Sequence, residues 1–133
     1  MMKKGFFVFL AGVMALSLFA GCSKGYVAQK NADNMTITLK AARYPLVKGD
    51  NDLSVSLADA SGKSVTDAAV QVRYYMPAMP GMAPMDFSAT ALARGGAYGF
   101  VANVPMEGGW KVEVTATPPG KPAVTATFNV DAR

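Results

Sequence analysis

From Met35 to the C-terminus, apolar and polar residues alternate with a period of two, a pattern that restricts the chain to half-buried β-strands. Thr36-Ile37-Thr38-Leu39 alternates, as do Leu53-Ser54-Val55-Ser56-Leu57, Val70-Gln71-Val72-Arg73-Tyr74 and Phe87-Ser88-Ala89-Thr90-Ala91. In the last three runs, Tyr98, Phe100, Ala102 and Val104 share a face, then Trp110, Val112, Val114 and Ala116, then Val124, Ala126, Phe128 and Val130. Successive strand side chains point to opposite faces, so each run offers one face to a core and one to water. No segment carries a helical stripe; residues 65–69 have room for one turn at most.

Turn chemistry separates the runs. Lys48-Gly49-Asp50-Asn51 and Asp59-Ala60-Ser61-Gly62 punctuate the first half, with Asp59 and Asp67 expected to bond their own backbone. Gly95-Gly96 predicts a tight hairpin. Glu107-Gly108-Gly109 and Pro118-Pro119-Gly120-Lys121-Pro122 close the next two connections. Short strands with turns every ten or so residues predict an all-β fold: an immunoglobulin-like antiparallel β-sandwich of about seven strands. No cysteine pair is available to staple it, so packing alone must hold it. Trp110 is the obvious core anchor, able to bury about 200 Å².

The N-terminus follows another logic. Met1-Met2-Lys3-Lys4 precedes an apolar run over residues 5–20, ending at Gly21-Cys22. A short basic segment before such a run is a secretory signal, and the run is short for a membrane-spanning helix. Leu18-Phe19-Ala20-Gly21-Cys22 resembles the lipobox of bacterial lipoproteins, in which the cysteine is acylated and becomes the first mature residue. The resemblance assigns residues 1–21 to a signal peptide and Cys22, the only cysteine, to lipid attachment. Multiple acyl chains anchor stably where a single one does not. The expected location is the cell envelope, held to a membrane and facing the periplasm or the exterior. Residues 22–34 are polar after the cysteine, lack periodicity, and are expected to form a flexible tether of roughly 20 Å reach. Residues 35–133 form the domain.

Composition then removes whole classes of function. There is no histidine, which excludes Ser-His-Asp and Cys-His catalysis and His-ligated zinc. The formal charge of +4 includes Lys3 and Lys4, so the mature chain carries about +2, with no basis for nucleic-acid binding. Asp59, Asp67, Asp86 and Glu107 are carboxylates without a paired partner in sequence, and the chain is not expected to be an enzyme.

Of nine methionines, three lie in the signal and Met35 opens the first alternating run. Four more, Met76, Met79, Met82 and Met85, are spaced by three in Met76-Pro77-Ala78-Met79-Pro80-Gly81-Met82-Ala83-Pro84-Met85. The prolines preclude a regular helix or central strand. In a straight polyproline II segment the thioethers would stand about 9 Å apart, too far to share an ion. A bend at Gly81 would bring Met76 or Met79 against Met82 or Met85. Thioethers are soft, neutral ligands that select Cu(I) or Ag(I); methionine also fills gaps and makes adaptable surfaces. Strand parity places Met106 and Trp110 at the same end as this loop. Tyr74 should face the core and Tyr75 the exterior, where Arg73 on the same face would discourage a cation.

Several of these features together resemble the YtkA-like domain family, related to the FixH-type envelope proteins. They are the Asp59, Gly62-Lys63, Val65, Asp67-Ala68 and Val70 stretch, the Met-Pro loop, Gly96 with Tyr98, and Met106 with Gly108 ahead of Trp110. The resemblance implies an immunoglobulin-like sandwich outside the cytoplasm and a link to copper handling or copper-oxidase assembly. Several relatives carry histidine near the loop; without it, only an all-thioether, monovalent site remains. Two functions fit. One is binding or buffering of Cu(I) or Ag(I) by Met76, Met79, Met82 and Met85, with Met106 as a fifth thioether and Trp110 and Tyr75 as accessory residues. The other is a metal-free interaction module that docks an envelope protein partner through the same loop.

Overall fold

A computed structural model describes residues 25–133, so the signal-peptide and Cys22 assignments lie outside the described residues. Eight strands run in order: β1 (Tyr26–Ala32), β2 (Met35–Ala41), β3 (Gly49–Ala58), β4 (Ala69–Met76), β5 (Met85–Arg94), β6 (Ala97–Val104), β7 (Gly108–Thr117) and β8 (Val124–Ala132). Each alternating run of the sequence lies within one of β2 to β8. All strand pairings are antiparallel, in spatial order β1-β2-β3-β6-β5-β4-β7-β8. The all-β antiparallel class is as expected. The two layers, however, are one continuous sheet: β5 pairs with β4 from Met85 to Ala91, then passes to β6 from Leu92 to Arg94.

The expected tether is the main correction. Tyr26–Ala32 is a strand, paired with β2 from Tyr26↔Ala41 to Ala32↔Met35. Its residues are of mixed polarity and none is fully buried, so its order comes from the partner strand. Side chains also fasten it across the open seam to β8. The Tyr26 hydroxyl donates to the Asn129 carbonyl at 3.0 Å, and the Lys30 ammonium donates to the Thr127 carbonyl while lying 5.6 Å from the Phe128 ring centre. These contacts bring the sheet close to a barrel.

Two expected turns are strand as well. Gly49, Asp50 and Asn51 open β3 and pair with Val104, Asn103 and Ala102. Buried Asn51 explains why: its side-chain amide donates to the carbonyls of Val47, Gly49 and Ala102 and accepts from the Val47 N–H at 2.9 Å. Similarly, Gly108 and Gly109 open β7. The other turns hold. Gly95 and Gly96 have φ of 58° and 84°, as a two-residue type I′ hairpin needs. Asp59 Oδ1 accepts from the N–H of Ser61 and of Lys63, each at 3.0 Å, and from the Ser61 hydroxyl at 2.6 Å.

Ile37, Leu39, Val55, Tyr98 and Phe100 from one side of the sheet meet Val72, Val112, Val114 and Phe128 from the other. Trp110 is 2% exposed. The Tyr98 hydroxyl is also buried within this packing; it donates to the Val65 carbonyl at 2.9 Å and accepts from the Ala68 N–H at 3.0 Å. It thereby fixes the connection between β3 and β4. No buried side-chain nitrogen or oxygen among the described residues lacks a partner.

Two stability predictions follow from these bonds. Tyr98→Phe leaves the Val65 carbonyl and Ala68 N–H unpaired, and should cost about 1–3 kcal/mol in urea unfolding with an unchanged m value. The Asp59 carboxylate is held below its usual range, chiefly by the Ser61 hydroxyl and then by the Lys63 N–H. A folded-state pKa below the unfolded one gives stability that is present above about pH 4 and lost as pH falls through the folded value. The gap in melting temperature between the natural chain and Asp59→Ala should therefore be constant from pH 7 to pH 5 and shrink at lower pH.

Candidate metal centre

The antiparallel ladder sends alternate strands in opposite directions, so β1, β3, β5 and β7 begin at the end where β2, β4, β6 and β8 finish. Residues 77–84, joining β4 to β5, and residues 105–107, joining β6 to β7, therefore project from the same end, as strand parity predicts.

The methionine loop continues the β4–β5 hairpin. Met76 stands opposite Met85 on the ladder, and Met79 bridges Met82 in the same register. The chain reverses at Met79-Pro80-Gly81-Met82, where the Met82 N–H donates to the Met79 carbonyl at 2.9 Å and Gly81 has φ of 81°. Proline followed by a residue of positive φ is the pattern of a type II turn, which glycine fits without strain. The bend thus occurs at Gly81 and pairs the methionines two by two along the backbone.

Their environments differ. Met76 is 2% exposed, Met82 and Met85 are half-buried against the core, and Met79 is 47% exposed. Met106, on the neighbouring connection, is also half-buried against the core. The indole N–H of Trp110 donates to the Met106 carbonyl at 3.1 Å and so holds that connection down. Next to it, Gly108 adopts φ of 132°, and a Cβ there would stand 2.9 Å from Met76 Cε. The absence of a side chain at Gly108 lets the Met76 methyl pack against the start of β7.

Two residues along each strand from the Met76–Met85 pair stands an aromatic cluster, in which Phe87 is still 36% exposed. Tyr74 and Phe87 are cross-strand partners with rings stacked at 5.4 Å, and Trp110 stands 6.3 Å from Tyr74 and 6.1 Å from Phe87. Phe87 was not singled out from sequence as part of this end; its place two residues after Met85 on the same face was the available signal. Trp110 is a core residue here. Tyr74 is buried as expected, and Tyr75 is half-buried on the outer face under the Arg73 guanidinium, 4.2 Å from its ring centre. That guanidinium also binds Asp86, with Nε at 2.9 and 2.8 Å from the two carboxylate oxygens. The hydrogen bonds from Arg73 hold the Asp86 carboxyl below its usual range. The face of Tyr75 is thus already taken by a cation of the protein.

Harder donors do not gather here: among the described residues no three His, Cys, Asp or Glu side chains come together as a metal site would need. Soft sulfur is the donor chemistry this end offers, and it fits a monovalent soft ion and not a divalent hard one. A surface cleft of about 750 Å³ lies at the opposite end, lined by Asp33, Asp59, Lys63, Asp67, Pro118 and Lys121 among others. It includes none of the loop methionines.

Among solved structures, FetP of uropathogenic Escherichia coli strain F11, as isolated after expression in the E. coli periplasm, shares the fold. It is 11% identical with a TM-score of 0.53, over 81% of this chain and 95% of that one. A copper-bound variant of FetP is 10% identical at the same TM-score of 0.53, over 81% and 97% of the two chains. The soluble domain of PmoD from Methylocystis sp. is 13% identical with a TM-score of 0.49, over 79% and 96%. No curated protein sequence matches. The family model described as YtkA-like matches residues 29–115, from within β1 to within β7, and the chain belongs to that family.

Proposed function

We propose that this chain is a lipid-anchored domain of the cell envelope that binds or buffers Cu(I), with Ag(I) as a chemical equivalent, through its methionine end. The observation that carries the reading is the hairpin reversal at Gly81. It pairs Met76 with Met85 and Met79 with Met82, and it projects from the same end as Met106. The donor set supports a monovalent ion, since thioethers are neutral and soft and no imidazole is available for Cu(II). FetP shares the fold; it was isolated after recombinant expression in the periplasm, and a variant of it has been obtained with copper bound. Met82, Met85 and Met106 supply the sulfurs, Met79 supplies an exposed entry ligand, and buried Met76 backs them. Ion capture and release need no covalent step. Next to the hairpin, the rings of Tyr74, Phe87 and Trp110 give the methionine end an apolar base, which suits a soft ion better than a hydrated one.

The metal-free docking reading draws on one observation: Met76 is 2% exposed and three other methionines pack on the core, as a hydrophobic plug would. Titration separates the two. Under reducing conditions, in competition with a chromophoric chelator, the protein should take up one equivalent of Cu(I). The triple variant Met79→Leu, Met82→Leu, Met85→Leu, which keeps Met76 in place, should bind at least about tenfold more weakly, as loss of soft ligands demands. Its circular dichroism and urea midpoint report whether it stays folded. Unchanged affinity in the folded variant removes the loop as the site and leaves docking as the function of this end.

A further inference from the structure

The methionine end is also where the chain enters the domain. Gly25, the first described residue, leads directly into β1, and β1 begins at the end from which residues 77–84 and 105–107 project. Only Ser23, Lys24 and Gly25 separate Cys22 from Tyr26. That is four residue steps, at most about 14 Å of extended chain. The seven residues of β1 alone rise about 23 Å, and the ten of β3 about 33 Å. With β1 held in place, a lipid on Cys22 therefore keeps the end where β1 begins within about 14 Å of the bilayer, while the opposite end stands a full strand length from the attachment point. Pairing with β2 along all seven residues, with Tyr26 and Lys30 bonded to β8, holds β1 in place.

The geometry points to the methionine end as a membrane-facing surface, whose occupant is the lipid interface itself. This rests on the anchoring part of the function proposed above and is independent of the metal. The loop's composition agrees: residues 74–85 contain no charged side chain, and Pro77, Ala78, Met79, Pro80 and Gly81 at its tip are all exposed. At the same end the β2–β3 connection carries exposed Arg43 and Lys48, able to meet anionic headgroups, beside exposed Asp50. Lys48 has a partner in Glu107 at 3.7 Å, with side chains 60% and 63% exposed, a separation and exposure at which solvent screens most of the attraction. The cleft lined by Asp33, Asp59 and Asp67 then faces away from the membrane.

The test uses the full-length chain, exported and processed in a bacterial host. Single cysteines are introduced at exposed Ala78, in the loop, or exposed Ser61, at the opposite end, as Ala78→Cys or Ser61→Cys. Each is labelled with an NBD fluorophore and reconstituted into phosphatidylethanolamine/phosphatidylglycerol vesicles containing nitroxide-headgroup lipid. Mass spectrometry first establishes whether Cys22 carries acyl groups. With acylated protein, the label at residue 78 should be quenched at least threefold more than the label at residue 61. Equal quenching, or stronger quenching at residue 61, in acylated protein overturns the orientation and leaves the anchor standing. A mature chain without acyl groups overturns the anchor, and the orientation with it.

Discussion

Strand β5 hands its hydrogen bonds from one layer to the other, pairing with β4 up to Ala91 and with β6 from Leu92. The rest of the architecture hangs on that transfer. It makes a single eight-stranded sheet that curls over its own apolar face, leaving β1 and β8 as the only two edges. Side chains then close that seam, with Tyr26 and Lys30 reaching β8 carbonyls. The same strand fixes the loop before it. Because Val70 pairs with Ala91 and every following pair keeps that register, Met76 must meet Met85, and the eight residues between them must reverse.

Concentration of sulfur at one end of the fold is thus a consequence of register and of strand direction. Two connections that are distant in sequence leave the sheet side by side, and an indole N–H pins one of them beside the other. Met76 packs across from β4 onto the start of β7. Gly108, without a Cβ, gives it room. On the outer face beside this end, Arg73 is engaged by Asp86 and by Glu113.

Legibility from sequence varied with the kind of force involved. Seven strands were readable because each buries one face, and burial imprints a period of two. β1 was unreadable for the converse reason: as an edge strand of mixed composition it has no fully buried residue, and its order is borrowed from β2 and β8. Gly49 and Asn51 look like turn residues, yet they are strand, because the buried Asn51 amide satisfies backbone groups that local sequence does not reveal as neighbours. Gly81 was legible as a bend because proline and glycine impose their own dihedral angles whatever surrounds them.

The sequence by itself determined which face of each strand is apolar, where the loop turns, and that sulfur and not nitrogen would be the available soft donor. These are local properties, set by side-chain chemistry and backbone sterics within a few residues. Only the tertiary structure decided that Met76 is a buried residue and Met79 an exposed one, that the Phe87 ring meets those of Tyr74 and Trp110, and that Tyr26–Ala32 is a strand. It also decided that the chain enters at the methionine end. Those outcomes depend on pairings between segments far apart in the chain, and no local period records them.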